Sequence, residues 1–239
     1  MNPRLYRYER VGSTMDVIHQ LAAEGAGAGT IVLAGEQLEG RGSRGRSWHS
    51  PPGGLWLSAL FRPPVAAGTE VISLRVGLAV AEALERLVSC PIHLKWPNDL
   101  MLKERKVGGI LCEARWQGGM LAWVAAGVGL NVRNQIPAEL SHLAVSLTRE
   151  RPDITLDGVA RPIVTALRSV DLQPEQLSRP ELDQFARRDW LSGREIREPM
   201  SGMVTGVRED GALLVRTANG SDIPLRSGSV ELAAAPHPR

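Results

Sequence analysis

The chain is poor in lysine, cysteine and aromatic residues, and it has no long apolar run. No stretch approaches the ~18 consecutive apolar residues that a membrane-spanning helix needs. The N-terminus also lacks the apolar core of a signal peptide. The two cysteines, Cys90 and Cys112, form no CxxC pair, which argues against a zinc site and a disulfide framework. We therefore expect a soluble, cytoplasmic protein in which both cysteines are buried thiols.

Lysine is rare but clustered. Only three of the 28 basic residues are lysines, and Lys95, Lys103 and Lys106 lie within twelve positions. The net charge of +2 is too small for a surface that binds nucleic acid over its whole area, so any basic site must be local. Because the chain otherwise uses arginine, a retained lysine is a candidate for a role that needs lysine.

The pattern of apolar residues predicts an α+β fold. At 239 residues and 43% hydrophobic content, the chain suits one large domain and a small second one. Helices are predicted from Ser13 or Thr14 to the glycines at 25–29, and over 69–88, 156–170 and 180–191. Strands are predicted over 30–34, 55–61, 92–96, 106–113 and 121–132. The chain therefore combines helices and strands.

The last part of the chain has a different character. Short β segments are predicted over 203–207, 212–217 and 221–225, separated by Asp210-Gly211 and Asn219-Gly220, which are strong hairpin signals. They predict a small β-barrel. We place the domain boundary near Gly193, which gives a domain of residues 1–193 and a second of residues 194–239 with a frayed tail from Ala233.

The most informative stretch is Gly40–Trp48, in which three arginines and three glycines precede a tryptophan. Glycines let backbone N–H groups turn toward an anion, and guanidinium groups add paired hydrogen bonds, so the stretch predicts a phosphate-binding loop. Gly40, Gly42 and Gly45 also fit G-x-G-x-x-G, but Pro51 and Pro52 prevent the helix that a dinucleotide fold requires. An arginine-rich solvated loop is the alternative.

Other positions join this loop as candidates. Ser13 or Thr14 is a good N-cap, and a helix N-terminus that carries two hydroxyls also suits a ligand's polar end. The Pro-Asn-Asp turn at 97–99 fixes Lys95 beside it. Glycines inside the predicted strands indicate either a ligand lying against the backbone or a β-bulge. These glycines are Gly108, Gly109, Gly127 and Gly129.

Five motifs occur in an order that resembles the motif series of biotin–protein ligases. They are Gly12-Ser13-Thr14, Gln37 with Gly40–Trp48, Lys95-Trp96-Pro97-Asn98-Asp99, Lys106–Leu111 and Gly127-Val128-Gly129-Leu130-Asn131. The resemblance extends over residues 5–232. It implies an α+β fold with a mixed β-sheet flanked by helices, as in class II synthetase-like biotin/lipoate ligases, and a small SH3-like C-terminal β-barrel. Only about ten residues precede the first motif, so we expect the ligase-only form without a DNA-binding domain.

The resemblance implies a two-step reaction with ATP and Mg²⁺. The biotin carboxylate attacks the α-phosphate of ATP to give biotinyl-5′-AMP and pyrophosphate. A lysine of an acceptor protein, the biotin carboxyl carrier protein domain of a carboxylase, then displaces AMP. Neither DNA nor membrane is expected as a partner, and the chain is expected to be a monomer or homodimer.

The same resemblance assigns residues to roles. Lys95 and Arg41 are the expected catalytic residues, and no residue is assigned to a metal. The expected biotin-binding residues are Ser13, Thr14, Met15, Gln37, Arg41, Gly42, Ser43, Lys95, Gly109, Ile110 and Leu111. The expected ATP and adenylate residues are Arg41, Arg44, Arg46, Trp48, Lys95, Asn98, Lys106 and Asn131. For Trp48, packing over the ordered loop and an ordinary core position both stay open.

Two positions of the chain depart from the usual pattern of the family. Met15 replaces the usual asparagine, which removes a polar group near biotin, and Ser43 replaces the second arginine of Gly-Arg-Gly-Arg.

A lipoate or octanoate ligase or transferase on the same fold is one alternative function, because the acyl group is selected by a few residues of the slot. A nucleic-acid-binding module built on the arginine loop is the other, and it predicts salt-sensitive oligonucleotide binding.

The serine at position 43 yields a testable prediction. One lost charge-assisted hydrogen bond is worth roughly 1.5–3 kcal/mol, which corresponds to about ten- to hundredfold faster release of the adenylate. Ser43→Arg is expected to slow release of biotinyl-5′-AMP and to lower biotinylation of bystander proteins. The adenylate dissociation rate measures this effect, and equal rates in the variant and the parent would make Ser43 a neutral replacement.

Overall fold

The computed structural model describes residues 3–63, 68–172 and 174–233, and it confirms the α+β class. The predicted tail lies outside this part except for Ala233. The helices are α1 (Thr14–Ala23), α2 (Thr69–Val88), α3 (Leu156–Arg168) and α4 (Arg179–Arg188). The strands of the first sheet are β1 (Leu5–Val11), β2 (Ile31–Gln37), β3 (Leu55–Phe61), β4 (Ile92–Lys95), β5 (Asp99–Leu102), β6 (Arg105–Gln117) and β7 (Met120–Leu130).

The large sheet is mixed and lies between two layers of helix. Its strand order is β1-β2-β3-β7-β6-β5-β4, with β1 and β2 parallel and the other neighbours antiparallel. Helix α1 packs against one face through Ile18 and Ala22, and α2, α3 and α4 pack against the other. Strand β3 is buried along its whole length because both of its faces are covered.

The predicted strands and helices are largely confirmed, and the errors have physical causes. Strand β1 was not predicted because most of its residues are exposed and three are charged, which leaves no apolar alternation at this sheet edge. Strand β5 was not predicted because it begins at Asp99, directly after the turn that ends β4. Cys90 is partly exposed rather than buried, whereas Cys112 is partly exposed as a residue but burial raises the pKa of its thiol to about 12. Cys90 follows the end of α2, and Cys112 lies beyond Gly109, where the pairing of β5 with β6 ends.

The C-terminal part forms the expected small antiparallel β structure. Its strands are β8 (Glu195–Glu198), β9 (Gly202–Val207), β10 (Leu213–Arg216), β11 (Asp222–Leu225) and β12 (Glu231–Leu232), in the order β11-β10-β9-β8-β12. Trp96 joins it to the large sheet, because the buried indole Nε1 donates to the carbonyl of Gly211 at 2.9 Å. The boundary near Gly193 stays a prediction.

A buried arginine holds the segment between α3 and α4 against α2. The Arg75 side chain is only 3% exposed, and its Nε donates to Glu181 Oε1 at 2.6 Å. Its two terminal nitrogens donate to the carbonyls of Pro174 and Gln176 at 2.6 and 2.5 Å. Three groups therefore depend on one guanidinium, and removing it leaves partly buried acceptors without a donor.

We predict that Arg75→Met lowers the free energy of unfolding by about 3 kcal/mol. This value is at the low end for a broken buried ion pair, because Glu181 is 25% exposed and keeps some water. Arg86→Met is the matched control on the same helix, since its pair with Glu82 is exposed and should be worth less than about 1 kcal/mol. Guanidinium denaturation measures both values, and equal losses would contradict the role of Arg75.

Candidate functional site

One cavity collects most of the predicted site residues. It has a volume of about 280 Å³ and lies between the start of α1, the end of β2, the arginine loop and the hairpin of β6 and β7. The predicted residues that line it are Ser13, Thr14, Met15, Gln37, Arg41, Gly42, Ser43, Arg46, Trp48, Asn98, Lys106, Gly109, Ile110, Leu111 and Asn131. Lys95 and Arg44 line an adjoining cleft instead.

The start of α1 forms the polar end of the cavity. Ser13 caps the helix by accepting from the backbone N–H of Met15 at 3.3 Å. The backbone N–H and the hydroxyl of Thr14 both donate to Gln37 Oε1, at 2.8 and 2.9 Å. Gln37 Nε2 donates to the hydroxyl of Ser50 at 2.9 Å. These bonds join the helix N-terminus to the end of β2 and fix the orientation of the glutamine amide.

Glycines in β6 and β7 form the floor of the cavity. Gly109 and Gly129 are paired across the two strands. A Cβ on Gly129 would lie 2.6 Å from the indole Nε1 of Trp48, and one on Gly127 would lie 3.0 Å from the sulfur of Met15. The glycines are therefore required by a close approach, although the atoms that approach them belong to Trp48 and Met15. Trp48 covers the floor from the loop side and is not an ordinary core residue.

Strand β7 sets the order of these groups. Residues 127, 129 and 131 share one face because side chains alternate along a strand. The floor begins at Gly127, which lies beside Met15. It continues with Gly129 beneath Trp48 and ends at Asn131, directly after β7. Four residues of extended chain span about 13 Å. The cavity is therefore an elongated slot with the Thr14 end and the Asn131 end separated by about this length.

The arginine loop is a tight hairpin whose arginines all have protein partners. The backbone N–H of Gly42 donates to the carbonyl of Arg46 at 2.7 Å. Arg41 makes two hydrogen bonds to Asp16 of α1, at 2.9 and 2.6 Å. Arg44, at φ 61°, donates to the hydroxyl of Ser229 in the C-terminal part. Arg46 folds back onto Ser43.

Position 43 is covered by the neighbouring arginine. Nη2 of Arg46 donates to the Ser43 hydroxyl at 3.1 Å, and its Nε donates to the Ser43 carbonyl at 3.3 Å. A guanidinium therefore lies at the position where the sequence lacks one, although it comes from a residue three positions later. This observation bears on the predicted leak of adenylate, which stays a prediction.

The two lysines of the site occupy different places. Lys106 lines the main cavity, with its Nζ 2.5 Å from Asp99 Oδ1 and 4.9 Å from the centre of the Trp48 ring. Lys95 lines the adjoining cleft, with its Nζ 5.2 Å from the centre of the Trp190 ring. Burial lowers the pKa of Lys95. The cleft has a volume of about 510 Å³, and Asn98 is one of several residues that line both spaces.

One wall of the cavity was not predicted from the sequence. It comes from the segment after β7 and consists of apolar residues. They are Ile136, Pro137, Leu140, Leu143 and Ala144. The segment has no helical or strand period, so apolar periodicity could not identify it. In the structure Leu140 and Leu143 are exposed, so this wall is an apolar surface that only the fold reveals.

Comparison with known proteins agrees with this geometry. A model of the biotin/lipoate A/B protein ligase family matches residues 8–131, about half of the chain. The bifunctional ligase/repressor BirA of Bacillus subtilis is 30% identical over 232 residues, which cover 92% of this chain and 71% of that protein. The chain belongs to the biotin/lipoate A/B protein ligase family.

Further similar proteins agree with the assignment of the chain to this ligase family. The biotin–[acetyl-CoA-carboxylase] ligase of Paracoccus denitrificans is 29% identical over 220 residues, covering 84% of this chain and 90% of that protein. A structure of the biotin protein ligase from Aquifex aeolicus in complex with biotin and ATP superposes with a TM-score of 0.81 at 28% identity. The match covers 97% of this chain and 99% of that one.

The described part of the chain contains neither a cluster of metal-ligating side chains nor a membrane-spanning helix. Within residues 3–63, 68–172 and 174–233, no three side chains of His, Cys, Asp or Glu lie close enough together to hold a metal ion. In the same part of the chain, no helix has the length and apolar character to cross a membrane.

The ion pair of Asp16 with Arg41 ties the loop to the start of α1. The hydrogen bond from Arg41 is the main cause that lowers the pKa of Asp16, and it raises the pKa of Arg41. Because the folded pKa of Asp16 is depressed, the pair contributes above the ordinary carboxyl pKa and is lost as the pH falls through the lowered value. At neutral pH both partners of the pair are therefore charged.

We predict that Asp16→Asn loosens the arginine loop of the ligase. The expected result is about two- to fivefold faster tryptic cleavage after Arg41, Arg44 or Arg46, because an exposed pair is worth up to about 1 kcal/mol. Asp157→Asn is the control, since it breaks an exposed contact with Arg7 elsewhere. Mass spectrometry of the fragments at pH 8 measures the rates. Cleavage as slow as in the parent would show that Asp16 does not hold the loop.

Proposed function

We propose that this ligase attaches biotin to a lysine of a biotin carboxyl carrier protein domain through biotinyl-5′-AMP. The observation that carries the proposal is one slot with a hydrogen-bonding end at Thr14 and Gln37, an apolar middle and a basic end at Lys106. An elongated ligand with a polar ring and a carboxylate fits this order. The relatives support it, since they include biotin–[acetyl-CoA-carboxylase] ligases and a structure with biotin and ATP.

The polar end suits the ureido ring of biotin. Thr14 and Gln37 supply donors and acceptors that are oriented by their mutual bonds, and the Ser13 hydroxyl is held by the backbone N–H of Met15. Gly109, Ile110 and Leu111 of β6 supply the apolar wall for the acyl chain. Met15 stands where the family usually has asparagine, so on this side the slot offers a thioether instead of an amide.

The basic end suits the first chemical step. A carboxylate oxygen of biotin forms a bond to the α-phosphorus of ATP, and the bond from that phosphorus to the oxygen bridging to the β-phosphate breaks. The electron pair leaves with pyrophosphate. Two anions must approach each other, so fixed cations where negative charge accumulates lower the barrier. Lys106, Arg46 and Arg41 line the slot where these groups would meet.

We assign different parts of this step to the two lysines. Lys106 is the candidate for the attacking carboxylate and the α-phosphate, because it lines the slot itself. Lys95 is the candidate for the departing pyrophosphate, because it lines the adjoining cleft together with Arg44 and Asn98. Lys95, which the resemblance gives as a catalytic residue together with Arg41, thus has only the leaving-group part of this step.

The remaining groups suit the nucleotide and the acceptor. Trp48 and the wall at Ile136 and Leu143 offer apolar surfaces for adenine, and Asn131 offers a polar contact. In the second step, the acceptor lysine nitrogen attacks the acyl carbon of the adenylate and loses a proton, and AMP leaves with the electron pair of the broken acyl–oxygen bond. We propose a cytoplasmic enzyme that acts as a monomer or homodimer.

Magnesium is expected to arrive with the phosphates of ATP. Mg²⁺ is usually bound by one or two carboxylates together with phosphates and water. Asp99, the carboxylate closest to Lys106, is engaged in an ion pair with it, and the described residues form no acidic cage. We therefore derive no step through a protein-bound metal. When present, Mg²⁺ neutralises charge on the phosphates.

ATP–pyrophosphate exchange tests the proposed function. Exchange that depends on biotin, with none supported by lipoate or octanoate, is the expected result. Exchange with lipoate but without biotin would replace the proposal by the lipoate alternative. Absence of exchange together with salt-sensitive oligonucleotide binding in 50 mM salt would favour the nucleic-acid alternative.

The assignment of the lysines yields a prediction. Lys106→Ala is expected to reduce biotin-dependent exchange by about a hundred- to a thousandfold, the usual effect of removing one charge-stabilising donor. Lys95→Ala is expected to slow exchange while leaving biotin affinity within about twofold. Lys103→Ala is the control, because its ammonium is exposed and pairs with Glu150 outside the slot. Wild-type exchange in the Lys106 variant would remove that lysine from its role.

A further inference from the structure

Two asparagines after β7 form a buried pair beside the proposed nucleotide site. Asn131 and Asn134 are 6% and 4% exposed, and both line the main cavity. Nδ2 of Asn134 donates to Oδ1 of Asn131 at 3.0 Å. The sequence motif contains Asn131 but gives no role to Asn134. The second asparagine therefore needs an explanation.

A backbone donor fixes the orientation of Asn134. The amide N–H of Val132 donates to Oδ1 of Asn134 at 3.1 Å. A backbone N–H can only donate, so the atom that faces it must be the side-chain oxygen. The nitrogen of Asn134 then necessarily points the other way, toward Asn131. The usual ambiguity between the oxygen and nitrogen of an amide is removed at this residue.

The same reasoning fixes the orientation of Asn131. Because Asn134 presents a donor, the atom of Asn131 that faces it must be Oδ1. Nδ2 of Asn131 has no hydrogen-bond partner among the side chains and backbone groups that the structure describes, and the residue lines the cavity. Asn131 therefore presents two N–H donors to a ligand, with its oxygen turned toward Asn134.

The backbone holds this arrangement in place. The N–H of Asn131 donates to the carbonyl of Val107 at 2.8 Å, and its carbonyl accepts from Leu147 at 2.9 Å. A Cβ on Gly53 would lie 3.0 Å from the backbone nitrogen of Asn134, so the neighbouring loop packs directly against that residue. Neither asparagine can shift without disturbing two adjacent segments.

We propose that Asn134 is a positioning residue that orients Asn131 to donate to an acceptor atom of the nucleotide. The inference rests on the proposed function, since it identifies the ligand of the slot as a nucleotide. It adds that Asn131 binds a phosphate oxygen or an adenine nitrogen and does not serve as an oxygen ligand of Mg²⁺. Asn134 acts only through Asn131.

Calorimetric titration of the full chain with a non-hydrolysable ATP analogue and, separately, with biotin tests this proposal. Asn131→Ala and Asn134→Ala are each expected to weaken binding of the analogue by roughly tenfold or more, the effect of one lost hydrogen bond to a charged group. Biotin affinity should change by less than about twofold. Gln135→Ala, at an exposed neighbouring position, is the control and should change neither.

The double variant decides whether Asn134 acts through its partner. In the Asn131→Ala background, Asn134→Ala should weaken analogue binding by less than a further twofold or so, because the group that it orients is gone. If the loss of analogue affinity in the double variant equals the product of the losses in the two single variants, the proposal is overturned. An equal loss of biotin affinity would also overturn it, because it would indicate a structural role.

Two further arms test the chemistry of the contact. Repeating the titration with and without Mg²⁺ should show the same fold-loss in the Asn131 variant, and a loss seen only with Mg²⁺ would overturn the donor assignment. Titration with AMP and adenosine distinguishes the acceptors, since a phosphate contact weakens only AMP and a ring contact weakens both. If the unsubstituted protein binds the ATP analogue but does not bind biotin, the proposed function is contradicted. The asparagine variants would still test this inference through their binding of the analogue.

Discussion

The pairing of Gly109 with Gly129 is the constraint on which the site depends. Two neighbouring strands lack side chains at the same place, so a shallow space opens on a sheet that is otherwise filled. Trp48 enters that space from the arginine loop, and a Cβ on Gly129 would lie 2.6 Å from its indole nitrogen. Lys106 then lies against the same ring. The floor, the cover and one cation of the site therefore all follow from two missing side chains.

The arginine loop is held by the protein on three sides. Arg41 is bound to α1 through Asp16, Arg44 reaches Ser229 of the C-terminal part, and Arg46 covers Ser43. The loop therefore connects the proposed biotin end of the slot to the C-terminal β structure. This arrangement bears on the missing arginine at position 43, because Arg46 is close enough to supply a guanidinium there. Partial compensation of this kind would reduce any leak of adenylate.

Sequence reasoning identified what has a local cause. The capped start of α1, the long α2 and strand β3 follow from periodicity and end signals, and their residues occur where predicted. The sequence did not predict how segments that are distant along the chain pack against one another. The sequence motif puts Lys95 and Asn98 in one block, yet the fold turns Lys95 into the adjoining cleft. The apolar wall after β7 and the orientation of Asn131 by Asn134 also depend on tertiary contacts, which no spacing encodes.

Calorimetric titration of biotin, with and without an ATP analogue, tests the central claim most directly. The claim is that the slot from Thr14 to Lys106 is already formed and complementary to biotin. We expect saturable binding of one biotin per chain without nucleotide, and we expect this binding to survive Lys103→Ala but to be weakened by Gln37→Ala. Absence of biotin binding under both conditions, from a folded protein that binds the ATP analogue, would contradict it.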